Sequence, residues 1–133
     1  MVNPGFDADA GRHLVAALDH SDFPVSAAFW LFNQYANEWK LWIATPLADQ
    51  MRLEVVYSRF YRVAQTLPEF PSLRSSIVFT SPRNDLIAKL ISVIRTGPRD
   101  VAGIRFSQNI INDVYIEDAY FYRLTGPTPE EAT

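Results

Sequence analysis

The sequence predicts a single α+β domain in the order α-β-β-α-β-α-β-β, with a mostly antiparallel sheet of about five strands and helices mainly on one face. Three observations carry this reading. Two pairs of aromatic and β-branched runs flank short polar turns, the pattern of hairpins. Two helically periodic segments open on hydroxyl-proline pairs, Thr45-Pro46 and Ser81-Pro82. A chain of 133 residues fits one core, since domains typically hold ~100–150 residues. Residues 1–125 read as that domain, and residues 126–133 as a disordered acidic tail.

Each element has a local reason. Asp7 or Asp9 can cap a first helix that runs to about His20, with Ala10, Leu14, Ala17 and Leu18 on one face. Asp22-Phe23-Pro24 ends it. Val25–Phe32 and Trp39–Thr45 read as strands joined by the polar loop Asn33–Asn37. At Thr45-Pro46 the hydroxyl supplies a cap and Pro takes the first helical position, where its missing N–H costs nothing. One helix from about Leu47 to Gln65 should follow, burying Met51, Val55 or Val56, Phe60, Val63 and Leu67, until Pro68 and Pro71 stop it. Ser76–Thr80 reads as a short strand buried on both faces. Ser81-Pro82 then starts a helix carrying Leu86, Leu90, Val93 and Ile94, which Gly97-Pro98 ends. Gly103–Ile111 and Val114–Leu124 flank Asn112-Asp113, a pair suited to a two-residue turn with positive φ. Leu41–Pro46 and Ile77–Pro82 echo each other at an offset of 36 residues, each a strand entering a helix through Thr/Ser-Pro.

Composition excludes several classes. There is no cysteine, so no disulfide framework, zinc ribbon, iron–sulfur cluster or cysteine nucleophile. His13 and His20 stand seven apart, not at the spacing of three or four that ligands on one helix need. No metal and no cofactor are expected. The longest apolar run, Val25–Phe32, is far shorter than the ~20 residues a bilayer requires, and the first residues lack the basic start of a secretion signal. A cytoplasmic protein is the expectation.

The formal charge of −3 is unevenly laid out. Residues 1–38 carry −4, residues 40–105 carry +5, and residues 106–133 carry −4. Ten of the twelve cations are Arg, which makes planar bidentate pairs and stacks on rings.

The stretch Ala27-Ala28-Phe29-Trp30-Leu31-Phe32, then Glu38-Trp39-Lys40-Leu41-Trp42-Ile43-Ala44-Thr45-Pro46, with Tyr57 and Tyr61 in an Arg-bearing helix, resembles a family of small uncharacterised bacterial proteins. The likeness extends loosely to Tyr120-Phe121-Tyr122-Arg123-Leu124. It implies a bacterial origin and a compact α+β domain, and no activity.

No catalytic constellation emerges. Glu117 and Asp118 adjoin in a strand and diverge, whereas paired-carboxylate chemistry needs convergence. Ser58, Ser75 and Ser81 lack a nucleophile-elbow context. The aromatic first hairpin is the sharper signal. Alternation places Phe29, Leu31, Leu41 and Ile43 toward the helices, and Trp30, Phe32, Lys40 and Trp42 on the far side, where Phe121, Arg123 and Arg105 can join them. Covered by the first helix, that face is core; uncovered, Trp30, Phe32, Lys40, Trp42, Phe121 and Arg123 form an interface for a second copy or a protein partner, or a stacking platform for single-stranded nucleic acid. A second candidate is an anion or acidic-partner patch of Arg52, Arg59, Arg62, Arg83 and Arg105. The expectation is a non-enzymatic protein-interaction or oligomerisation module, most simply a homodimer. The alternative is a nucleic-acid or nucleotide-binding module on the same Arg and aromatic surface.

Overall fold

The computed structural model describes residues 5–127. The expected acidic tail therefore lies, from residue 128 onward, outside the described residues. Helix α1 (Ala8–Asp19) leads into the hairpin β1 (Ala27–Asn33) and β2 (Glu38–Ala44). Then come the one-turn α2 (Leu47–Gln50), α3 (Leu53–Ala64), the one-turn α4 (Phe70–Leu73) and β3 (Ile77–Thr80). Helix α5 (Asp85–Ile91) precedes the second hairpin, β4 (Ile104–Ile111) and β5 (Val114–Leu124). The strands form one sheet in the order β3-β2-β1-β5-β4. Every neighbouring pair is antiparallel except β2 and β3, which are parallel.

Local chemistry explains most boundaries. The Asp7 carboxylate accepts from the Ala10 N–H at 3.0 Å and caps α1. Thr45 Oγ1 accepts from the Leu47 N–H at 3.2 Å. Asn112 and Asp113 both hold positive φ, 48° and 68°, as a tight turn matching strand twist demands. At Ser81-Pro82 the chain behaves differently from expectation. Ser81 Oγ accepts from the Arg83 N–H at 3.0 Å and donates to the Asp49 carboxylate at 2.8 Å. Asn84 is the true cap, three residues later, accepting from the Leu86 N–H at 2.9 Å.

The expected helix from Leu47 to Gln65 is two helices. Met51 and Arg52 are extended between them, with ψ of 165° and 152°. Leu47 and Val56 are both buried. Nine residues at ~100° each would set them on opposite sides of a continuous helix, so the break lets both reach the core.

While β4 stays largely exposed at its edge, helices pack against both faces of the central strands. Against one lie α1, α3 and α4, packing Leu14, Leu18, Val56 and Phe60 on Ala28, Trp30, Leu41, Ile43 and Tyr122. Against the other lies α5, packing Ile87 and Leu90 on Ala27, Phe29, Ala44 and Phe121. Strand β3 sits at one edge with all its residues half-buried, which corrects the expectation of a strand covered on both faces.

A β-bulge shapes the far side of β1. Ala28 pairs with Arg123 but Phe29 pairs with Phe121, so Tyr122 is the extra residue. Both Tyr122 and Arg123 then reach α1. The Tyr122 hydroxyl donates to Ala8 O at 2.7 Å and accepts from Trp30 Nε1 at 3.0 Å. Arg123 grips the carboxylate of Asp19 at the other end of the same helix, at 2.7 and 2.9 Å.

Candidate functional site

The residues read as one far face, core or interface, divide between two faces of the sheet, and the register shows why. Trp30 stands opposite Leu41 and Ala28 opposite Ile43, while Phe29 stands opposite Trp42 and Leu31 opposite Lys40. Residues directly opposite in an antiparallel pair share a face. Trp30 therefore sides with Leu41 and Ile43, not with Trp42, and helices cover both groups. Trp30 is 3% exposed, Phe121 0% and Arg123 1%. As partner-binding residues these three are corrected: they are structural.

The remaining members are half-buried and locally engaged. Phe32 packs on Trp39 with ring centroids 5.3 Å apart, and Trp42 stacks on Phe29 at 5.9 Å. Lys40 Nζ donates to Ser75 O at 3.0 Å. With Trp30 inside and Trp42 half-covered against Phe29, these two rings do not form an open stacking platform together.

The five cations of the second candidate do not form one patch. Arg105 pairs bidentately with Asp118 at 2.5 and 2.6 Å and lies over the rings of Phe6 and Trp39. Its hydrogen bonds to Asp118 hold its pKa above the usual value. Arg83 sits at the β3–α5 joint. Arg59 and Arg62, three residues apart, share the outer side of α3, and Arg52 stands extended just before its first turn.

That side of α3 is the most distinctive surface of the molecule. Leu53, Val55 and Tyr57 are 65%, 42% and 37% exposed; at ~100° per residue Val55 lies between Arg59 and Arg62, whereas Tyr57 and Tyr61 lie on the opposite flank of the helix. Tyr57 stacks on Tyr61, and Arg74, missed at the level of sequence, lies 5.5 Å over the Tyr61 ring. Two shallow hollows, about 340 and 330 Å³, meet at the Tyr61–Arg74 stack. Glu54 contributes to one; Leu67, Pro68 and Pro71 line the other. Arg52 touches Glu54 at 3.5 Å with both side chains largely in solvent, which is worth little. Among the described residues Arg59 and Arg62 make no ion pair.

The start of α3 is built against its own stability. Arg52 takes the cap position with no side-chain hydrogen bond. A cation there also meets the positive end of the helix dipole. Ser, Thr, Asp or Asn would stabilise the same backbone by ~0.5–2 kcal/mol.

His13, an exposed side chain, reaches Glu69 before α4, and this hydrogen bond holds the Glu69 carboxyl below its usual range. The contact ties α1 to the segment that closes the second hollow.

No family model matches the chain, and no curated protein and no solved structure is significantly similar to it. Among the described residues no helix is long and apolar enough to cross a membrane.

Proposed function

We propose that this is a non-enzymatic protein-interaction module of the bacterial cytoplasm, and that it works through the outer side of α3 with Arg74. The observation that carries the reading is that α3 exposes Leu53, Val55 and Tyr57 with unpaired Arg59 and Arg62 on one flank and Arg74 beside the other, in a chain of net charge −3. Apolar and aromatic side chains with Arg are the composition of interface cores. The occupant is an acidic segment with apolar side chains that crosses α3, its carboxylates pairing with Arg59 and Arg62 on one flank and its apolar groups taking the hollows beside Tyr61 on the other.

Fluorescence anisotropy with a labelled peptide of alternating Glu and Leu tests this. The wild type should bind it in a salt-dependent way, and R59E/R62E should weaken binding at least about tenfold, the loss of one or two charge-assisted contacts. Equal affinity for a Lys-Leu peptide, or tighter binding to single-stranded oligo(dT), would overturn the reading. Sedimentation of the protein alone then decides whether a second copy is the partner. Self-association that R59E/R62E abolishes assigns the surface to a homodimer.

A further inference from the structure

At one end of the sheet, on a different surface from α3, the geometry points to a binding site for a small zwitterion with an apolar body, of the size of a free amino acid or a dipeptide. The cavity there measures about 460 Å³, within the range of small-ligand pockets, ~300–1,000 Å³. It lies where β1 begins and β2 and β5 end, beside Pro46, just before the chain leaves β2 for α2 and α3. The next strand, β3, sends its helix α5 to the opposite face of the sheet.

The walls are apolar and the fixed charges balance. Phe23, Pro24, Val25 and Pro98 supply surface for an apolar body. The floor is the buried Arg123, which spends four hydrogen bonds on Asp19, Val25 O and Asp100 O. A guanidinium has five N–H groups, so one donor on Nη2 has no partner among the described residues, and the Arg123 side chain lines the cavity. Asp22 and Arg99 line the same cavity, and neither side chain makes an ion pair or hydrogen bond with a described residue. Asp19 is already neutralised by Arg123. What remains is one free anion, one free cation and a spare buried donor around an apolar hollow. An ammonium group answers Asp22; a carboxylate answers Arg99 and the Arg123 donor. A ligand of either single charge would leave one of the two rim groups unpaired.

Amide chemical shifts of the intact chain, followed during titration with L-phenylalanine and glycyl-L-phenylalanine, test the site. Saturable shifts at Ser21, Val25 and Thr125 are expected, and N-acetyl-L-phenylalanine amide, which carries neither charge, should fail to produce them. D22N and R99Q each alter a solvent-exposed side chain and should each weaken binding about tenfold. The inference is overturned if neither zwitterion gives saturable shifts at these residues. It is equally overturned if the blocked compound binds as well as the free one, or if both variants leave the affinity unchanged. None of these outcomes touches the α3 surface, so the two readings stand or fall separately.

Discussion

Arg123 and Tyr122 show how single residues hold this molecule together. Arg123 is a buried cation, but its charge is matched by Asp19 and its donors by two carbonyls. Removing one partner of such a pair strands the other in a poorly solvated place. Arg123→Met should therefore cost about 3 kcal/mol in chemical denaturation, far beyond the few tenths expected for a surface Arg. Tyr122 works at the other end of α1, and burial pushes its hydroxyl well above the ordinary 10.0. The folded state thus keeps a proton that the unfolded chain releases. Stability from this group is complete below pH 10 and falls as pH rises beyond it. Tyr122→Phe should flatten that alkaline decline and cost about 1–2 kcal/mol at neutral pH, through the lost partners of Trp30 Nε1 and Ala8 O. Denaturant melts at pH 7 and above pH 10 check both parts. Neither role was legible in the sequence. A cation near the end of an alternating strand reads as solvent-facing, and only the bulge at Tyr122 turns two consecutive side chains toward one helix.

At the scale of elements, the sequence spoke most clearly where the chemistry is local. Asp7 caps α1, Thr45 caps the turn after β2, and Asn112-Asp113 makes the second hairpin turn, all as the residue types require. The echo between Leu41–Pro46 and Ile77–Pro82 has a structural counterpart. Leu41 pairs with Ile77 and Ala44 with Thr80, so the repeated segments lie side by side as the parallel pair. The failures concern tertiary demands. Nothing between Leu47 and Gln65 is a helix breaker; the split at Met51-Arg52 arises because Leu47 and Val56 must both be buried. Side-chain alternation was read correctly within β1 and β2 but joined wrongly across their hairpin, since a face is shared by cross-strand partners and loop length fixes which ones; in β5 the bulge splits Phe121 from Arg123. The restart of the helix yields a direct test. Arg52→Ser should raise stability by about 1 kcal/mol by capping α3, a rise of a few degrees in thermal unfolding. The same change should weaken binding of the Glu-Leu peptide. A variant that gains stability and keeps full binding would remove Arg52 from the working surface.

For the molecule as a whole, the net charge of −3 conceals a division of labour among the cations. Arg105 and Arg123 are consumed by Asp118 and Asp19 inside the chain. Arg52, Arg59, Arg62 and Arg74 stay outside, on one helix face and beside it. The sequence foretold one α+β domain and a basic middle, because length, hairpin signals and charge blocks are properties of the chain. It did not separate structural from free cations, because that depends on which strands become neighbours. Nor did it show that the aromatic residues of the first hairpin divide between two covered faces, which leaves the outer side of α3 as the proposed place of recognition. Hydrogen exchange of the intact protein with and without the Glu-Leu peptide tests that claim most directly. The account predicts new protection confined to residues 53–64 and 70–74, lost in R59E/R62E; protection centred on β4 and β5, or none under saturating peptide, would contradict it.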